Sequence, residues 1–120
     1  MNKFYVTAGI AEKLRAKGYP IKEMVHYDSK SPIYKSFRGV YYIPRIDEVM
    51  DWLREKKKIN VLTTPMLKHS DGKFYWGSEI YDISGMPDMV RYKKSIFNQE
   101  GYNAVALASI EYCLDNLIGI

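Results

Sequence analysis

The segment from Ala104 to Ile120 constrains the fold more than any other part of the chain, because it is the most apolar one. Glu111 and Asp115 interrupt it, so it falls short of the roughly 18 uninterrupted apolar residues that a membrane-spanning helix needs. Its small residues permit a close approach to a sheet. We therefore predict a central helix from about Gln99 to Ile118, capped by Asn98 and packed on the apolar face of a sheet. The apolar stripe of this helix is expected to consist of Leu107, Ile110, Leu114 and Leu117, flanked by Ala106 and Cys113.

Two shorter helices are predicted nearer the N-terminus. The first begins after Thr7, whose hydroxyl can cap it, and ends at Lys17, because Gly18 fits the left-handed position after a helix and Pro20 forbids continuation. The second begins near Ile46, where apolar residues recur at helical spacing, acids occupy the first turn and bases occupy the last. Both assignments rest on capping and dipole signals as well as on periodicity.

A first hairpin is predicted between Lys22 and Ile43, where two extended segments flank a Ser-Lys-Ser-Pro sequence. The turn is expected at Ser29 to Pro32. The longer strand is expected at Ile33 to Ile43, and Gly39 within it marks a bulge.

A second hairpin is predicted from Ile59 to Ile83, because two alternating segments surround the pair Asp71 and Gly72, which favours positive φ. Residues Met89 to Phe97 fit either a short edge strand or an irregular connection, and the two adjacent lysines favour an exposed edge strand. The resulting order of elements is α-β-β-α-β-β-(β)-α. It predicts a single α+β domain over residues 1–120, in which the helices pack on one antiparallel sheet of four or five strands.

Composition excludes several classes of protein. The chain of 120 residues has one cysteine, Cys113, which excludes an internal disulfide and a multi-cysteine metal site. The apolar stretch from Phe4 to Ile10 is too short and too polar for the core of a secretory signal. We therefore expect a cytoplasmic protein with no membrane partner.

The residue pattern gives little support for catalytic or metal-binding chemistry. His26 and Asp28 share one side of a predicted strand, and His69, Asp71 and Cys113 complete the set of candidate metal ligands. Positions in a hairpin and at the start of a turn explain His26 and Asp28 on structural grounds. Phosphate-binding glycine loops, nucleophile elbows and zinc-protease motifs do not occur in the sequence. The sequence therefore predicts no enzyme, no catalytic residue, no metal site and no cofactor.

Weak nucleic-acid binding is one of two functional hypotheses that stay open. Residues 1–60 contain 13 Lys and Arg against 7 Asp and Glu, whereas residues 61–120 contain 5 against 7. Bases interleave with Trp52, Tyr92 and Phe97, the residue types that contact phosphates and stack on nucleobases. Lysines at a helix end also complement its dipole in any protein. The candidate contacts are Arg54, Lys56, Lys57, Lys58, Arg91, Lys93 and Lys94.

The other hypothesis is a non-catalytic interaction or accessory protein that binds through exposed aromatic residues. Eleven tyrosines and two tryptophans exceed what one small core absorbs, so some must be exposed. Tyrosine and tryptophan give a large contact area at little entropic cost. We expect them on the sheet face that no helix covers, where another protein or a second copy of this chain would bind. The candidate residues are Tyr41, Tyr42, Tyr75, Tyr81 and Tyr92.

Three stretches of the sequence carry a resemblance: IAEKLRAKGY at 10–19, IDEVMDWLREKKKINV at 46–61 and NAVALASIEYCLDNLI at 103–118. Together they resemble a family of short uncharacterised proteins from Bacteroidales bacteria, their phages and their mobile elements. The resemblance covers most of the chain, except the loop from Ser84 to Lys94. Its motifs are structural: a helix stop, a helix end and an apolar terminal helix. The resemblance therefore implies no activity, cofactor or catalytic residue, and it implies the setting of a mobile element or a phage-derived gene.

Overall fold

The computed structural model describes residues 4–24, 31–36, 39–68, 72–98 and 101–119. In this part of the chain the secondary structure is antiparallel sheet with helices, which confirms the α+β prediction. The elements in chain order are α1 (Ala8–Ala16), β1 (Ile33–Ser36), β2 (Gly39–Tyr42), α2 (Ile46–Lys56), β3 (Ile59–Lys68), β4 (Lys73–Asp82), β5 (Arg91–Asn98) and α3 (Tyr102–Asn116).

The described strands form two sheets, and not the single sheet of four or five strands that the sequence predicts. Strands β1 and β2 form a two-stranded sheet, and β3, β4 and β5 form a three-stranded sheet with β4 in the centre. The predicted long strand from Ile33 to Ile43 is wrong, because Ser36 pairs with Gly39 and the chain therefore reverses within this stretch. Gly39, predicted as a bulge within one long strand, is instead the first residue of β2 after the reversal.

The segment from Lys22 to Met24, which the sequence predicts as the start of the first hairpin, pairs with β2, so this part of the prediction is confirmed. The Met24 amide donates to the Val40 carbonyl at 2.8 Å, and the Tyr42 amide donates to the Lys22 carbonyl at 2.9 Å. Most of the predicted turn at Ser29 to Pro32 lies outside the described residues. The described part of this region is thus β1 and β2 with a short third segment beside β2.

Helix α1 confirms both of its predicted ends. The Thr7 hydroxyl accepts a hydrogen bond from the Ile10 amide at 3.2 Å. After the helix, the Tyr19 amide donates to the Leu14 carbonyl at 3.0 Å, and Gly18 has a φ of +96°. This is the Schellman arrangement, in which glycine adopts a left-handed conformation that other residues adopt at a cost.

The second hairpin and the edge strand are confirmed. Strands β3 and β4 pair over their full length, and Gly72 in the turn between them has a φ of +69°. Strand β5 pairs with the other side of β4 and lies at the edge of the sheet. An irregularity in register falls between Ile80 and Tyr81, opposite the start of β5.

Helix α3 is central, as predicted, since it contacts all three strands of the larger sheet and both other helices. It begins at Tyr102 and not near Gln99, because Asn98 is paired with Trp76 in the sheet and cannot cap the helix. The predicted stripe is confirmed at Ile110 and Leu114 and at its flanks Ala106 and Cys113. Leu107 and Leu117 are only half-buried, so the prediction is wrong for these two residues. The buried set combines small and large residues: Val105, Ala106, Ser109, Ile110, Cys113 and Leu114.

Candidate functional site

The three-stranded sheet has one covered face and one open face. Directly opposed residues of antiparallel strands share a face, so the register assigns each position. The inner face packs against α3 and includes Ile80 and Ser78, which are buried. The outer face carries Leu62, Tyr92 and Phe97, which are 49%, 56% and 62% exposed. The described positions of this outer face are Asn60, Leu62, Thr64, Tyr75, Gly77, Glu79, Tyr81, Tyr92, Ser95 and Phe97.

Hydrogen bonds and ring contacts hold the aromatic side chains of the outer face in place. The rings of Tyr81 and Tyr92 meet edge to face, with centroids 5.9 Å apart. The Tyr81 hydroxyl donates to a carboxylate oxygen of Glu79, and this bond raises the pKa of Tyr81. The hydroxyls of Tyr92 and Ser95 lie 2.6 Å apart. The outer face is therefore an ordered surface with large apolar area and few free donors.

Glu79 lies in the middle of the outer face on the central strand. Leu62 and Ser95 oppose it on β3 and β5. The eight positions that surround it on this face contain neither lysine nor arginine: Asn60, Leu62, Thr64, Gly77, Tyr81, Tyr92, Ser95 and Phe97. The carboxylate accepts a hydrogen bond from Tyr81. Lys93 lies next to this set of positions, in the register irregularity between the Ile80–Lys94 and Tyr81–Tyr92 pairs, and the register assigns it to neither face.

The structure separates two of the five candidate tyrosines from the other three. Tyr41 and Tyr42 belong to β2 in the two-stranded sheet, whereas Tyr75, Tyr81 and Tyr92 share the outer face. The Arg15 guanidinium lies 4.7 Å above the Tyr41 ring and donates to its hydroxyl at 3.3 Å. Tyr42 lines a half-open cavity of about 280 Å³ between the end of α1 and the start of α2.

The two basic clusters lie at one end of the three-stranded sheet. The amide of Ile83, just after β4, donates to the Lys58 carbonyl at 2.8 Å, which joins the end of α2 to the end of β4. Arg91 begins β5 as the partner of Asp82 at the end of β4. Sequence reasoning named the clusters separately, since no local signal shows that residues some 33 positions apart come together. We call this the basic end, and its cations are Arg54, Lys56, Lys57, Lys58, Arg91, Lys93 and Lys94.

Some of these cations have partners within the chain. Arg54 forms an ion pair with Asp51 at 2.6 Å, and the Lys57 ammonium lies 5.3 Å from the centre of the Trp52 ring. The Lys94 ammonium lies 5.8 Å from the ring of Tyr112 on α3. Trp52 packs edge to face on Tyr19, so it is committed to the fold and does not offer a free ring to a nucleobase.

Between the basic residues lies an apolar loop that sequence reasoning did not single out. Residues 84–90 join β4 to β5 and are all exposed. Three of them are large and apolar: Met86, Met89 and Val90, at 57%, 50% and 51% exposed. The sequence shows two methionines and a valine in a loop that contains Gly and Pro. It does not show that these apolar side chains are exposed, and their exposure is what distinguishes the loop.

The described residues hold no cluster of three or more potential metal ligands. His26, Asp28, His69 and Asp71 lie outside the described residues. Cys113 is buried in α3, and desolvation raises the pKa of its thiol to about 12. Such a thiol is a packing residue rather than a nucleophile.

Within the described part of the chain, none of the helices has both the length and the apolar character required to cross a bilayer. Comparison with known proteins gives no match: no family model, no curated protein and no solved structure is similar to this chain.

Proposed function

We propose that this chain is a non-catalytic interaction protein whose outer face binds another protein. The observation that carries the proposal is the concentration of exposed apolar residues on one rigid sheet face, with Leu62, Tyr92 and Phe97 all about half exposed or more. An exposed apolar surface of this kind is typical of interaction sites. In this proposal the protein acts as an accessory factor in the cytoplasm.

The chemistry of the outer face indicates what the partner must supply. Aromatic and aliphatic side chains of the partner would cover Leu62, Tyr92 and Phe97. The paired positions around Glu79 hold no cation, so covering its carboxylate is unfavourable unless the partner provides one. We therefore propose a different protein whose surface presents a lysine or arginine among apolar residues. A second copy stacked face to face would place two such carboxylates in the same dry interface.

The size of the outer face favours a transient complex. From Tyr75 to Tyr81 the central strand extends about 20 Å, and the three strands together are about 10 Å wide between axes. Stable complexes bury about 800 Å² on each partner, which is well above the area of such a face alone. We expect an affinity in the micromolar range and rapid exchange.

Two double variants test this proposal, one on the outer face and one as a matched control. The purified chain is expected to sediment as a monomer, and partners captured from source cells are then purified and titrated in a binary assay. Leu62→Ser with Phe97→Ser is expected to weaken that binary affinity at least tenfold. Met86→Ser with Met89→Ser makes the same chemical change in the loop of the basic end, and it is expected to leave the affinity unchanged. Thermal unfolding of both variants shows that each remains folded.

Three results would refute the proposal. Tight self-association that the Leu62→Ser and Phe97→Ser pair abolishes would assign the outer face to a second copy. If both pairs of substitutions reduced the binary affinity equally, the partner would not be binding specifically at the outer face. Binding that the outer-face pair leaves intact would move the site elsewhere.

Nucleic-acid binding is the alternative proposal, and the convergence of the two basic clusters at one end favours it. Labelled RNA and DNA titrated at two salt concentrations test it by fluorescence anisotropy. A phosphate-driven complex must weaken steeply as salt rises. Absence of binding at low salt would refute it.

A further inference from the structure

The basic end combines exposed cations with a projecting apolar loop, and this combination carries an inference beyond the partner-binding face. Lys56, Lys58 and Lys93 are exposed, and they lie at the same end of the sheet as Met86 and Met89. Strand spacing of about 4.8 Å places the end of α2 and the start of β5 roughly 10 Å apart. Cations therefore lie near the base of the loop on the β3 side and on the β5 side.

The loop has a defined shape. The Met86 amide donates to the Ile83 carbonyl at 3.1 Å, and the Met89 amide donates to the Gly85 carbonyl at 3.0 Å. The Ser84 amide donates to the Asp82 carboxylate at 2.9 Å. These bonds satisfy several backbone amides of the loop internally. The Met89 sulfur accepts a hydrogen bond from Arg91 Nε at 3.1 Å, so this side chain lies against Arg91 while it stays half exposed.

Seven consecutive residues of the loop are exposed. A cavity of about 300 Å³ at its base is lined by Asp82, Ser84, Gly85, Asp88, Met89 and Arg91, and the two carboxylates of that lining disfavour an apolar or anionic small molecule there. Met86 and Val90 are not part of this lining. Exposed apolar side chains beside exposed lysines match the interface of an anionic bilayer, where apolar groups enter the acyl boundary and cations meet the headgroups. Nucleic acid would use the cations but would leave the methionines and the valine unexplained.

Charge at the basic end supports the same ligand. Seven cations lie there beside four carboxylates, those of Asp51, Glu55, Asp82 and Asp88, which leaves an excess of three positive charges. Asp51 is paired with Arg54, and Asp82 binds the Ser84 amide. Asp88 lies within the exposed loop and opposes insertion, which limits the expected depth to the headgroup region.

We infer that the basic end binds the surface of anionic membranes, with Met86, Met89 and Val90 entering the interface and the lysines contacting lipid phosphates and carboxylates. This differs from the expectation of no membrane partner, which considered only segments able to span a bilayer. Lying on a membrane requires no spanning helix. The inference is independent of the partner-binding function, because the outer face and the loop are changed by different substitutions.

Vesicle flotation with the purified full chain tests the inference. Vesicles of phosphatidylcholine alone are compared with vesicles that contain phosphatidylserine, at low and high salt. Binding is expected only to the anionic vesicles and is expected to weaken with salt. Met86→Ser with Met89→Ser is expected to reduce partitioning at least tenfold, and the outer-face pair Leu62→Ser with Phe97→Ser is its control.

A charge-matched comparison tests the lysines. Lys56→Gln with Lys93→Gln is expected to reduce partitioning about 25-fold, since each cation near an anionic surface contributes about fivefold. Lys22→Gln with Lys35→Gln removes the same charge from exposed positions in another region. That control is expected to change partitioning less than twofold.

An environment-sensitive dye reports insertion directly. The dye is attached to the thiol of a Val90→Cys variant, because the native Cys113 is buried and unreactive. A blue shift with anionic vesicles supports entry of the loop into the interface. The inference is overturned by no binding to anionic vesicles at low salt, by equal losses in both lysine pairs, or by unchanged binding of the methionine pair. Full displacement by soluble phosphoserine, or binding of RNA or DNA with no binding of vesicles, overturns it as well.

Discussion

The two faces of the three-stranded sheet differ in what their side chains do, although the same three strands provide both. On the inner face Ile80 and Ser78 are buried beneath α3, and their neighbours complete the core. On the outer face Leu62 and Phe97 remain about half exposed or more. Burial of one face stabilises the fold, whereas the apolar groups on the other remain in contact with solvent.

The comparison shows why alternation alone could not assign function. Strand β4 alternates Trp76, Ser78 and Ile80 with Tyr75, Glu79 and Tyr81, so both of its faces contain large rings. Aromatic residues are compatible with a core and with a binding surface. Only the position of α3 decides which set is covered.

The largest expected effect comes from truncating the inner face. Ile80→Ala removes a fully buried side chain between sheet and helix, and we expect a loss of about 3 kcal/mol in the free energy of unfolding. Leu62→Ala on the outer face is the control and is expected to stay within about 0.5 kcal/mol of the parent. Urea denaturation measures both. Equal losses would show that the outer face is also part of the core.

A smaller loss in the free energy of unfolding is expected when a hydrogen-bonded pair on the inner face is broken. The hydroxyls of Thr63 and Ser78 lie 3.1 Å apart, and Ser78 is buried. Thr63→Val keeps the shape but leaves the Ser78 hydroxyl without this partner, so we expect a loss of about 1–2 kcal/mol. Thr64→Val makes the same change on the outer face and is expected to have an effect below about 0.5 kcal/mol.

A double-mutant cycle separates the hydrogen bond from the packing. Thr63→Val combined with Ser78→Ala is expected to be less destabilising than the sum of the single changes, because no buried hydroxyl is then left unpaired. Additive losses in urea denaturation would contradict the proposed coupling of the two hydroxyls.

Local signals were sufficient wherever one short segment decides the structure. The stop of α1 is set by Gly18 and the capping hydroxyl of Thr7, and both lie beside the helix that they bound. The Gly72 turn is local in the same sense. The candidate outer-face tyrosines Tyr81 and Tyr92 followed from composition and alternation, without knowledge of α3.

Long-range packing decided what the sequence could not predict. The half-burial of Leu107 and Leu117 depends on how α3 is rotated against the sheet, and hydrophobicity alone favours burying both. The division of the strands into two sheets depends on Ser36 pairing with Gly39, which a continuous β-type composition conceals. The convergence of the basic clusters depends on the pairing of β4 with β5.

A third prediction concerns the helices that cover the inner face. The Lys13 ammonium of α1 lies 3.0 Å from carboxylates of both Glu111 and Asp115 on α3. These groups are more than a third exposed and screened by solvent, so we expect Lys13→Met to lower the free energy of unfolding only slightly, less than either inner-face change. The effect is expected to fade at high salt. A loss that is insensitive to salt would indicate packing by the lysine stem instead.

The same ion pairs predict a dependence on pH. Hydrogen bonds to Glu111 and Asp115 raise the pKa of Lys13 in the folded state above its ordinary value of 10.5. The folded chain therefore holds this proton more tightly than the unfolded chain, and the stabilisation is complete below that value and is lost as the pH rises above it. Denaturation of parent and Lys13→Met should converge in strongly alkaline buffer.

The smallest expected effect returns to the outer face, where a change should alter titration and leave stability unchanged. Hydrogen bonding to the Glu79 carboxylate raises the pKa of Tyr81, so Glu79→Gln is expected to lower that pKa toward its ordinary value. Nuclear magnetic resonance of isotope-labelled tyrosine resolves this titration, and Glu111→Gln on α3 serves as the charge-matched control. An unchanged pKa would mean that the hydroxyl does not donate to Glu79, and the carboxylate would then be free to meet a cation of the partner. A lowered pKa with unchanged unfolding would establish that this pair organises the surface and not the core, which is the distinction between the two faces.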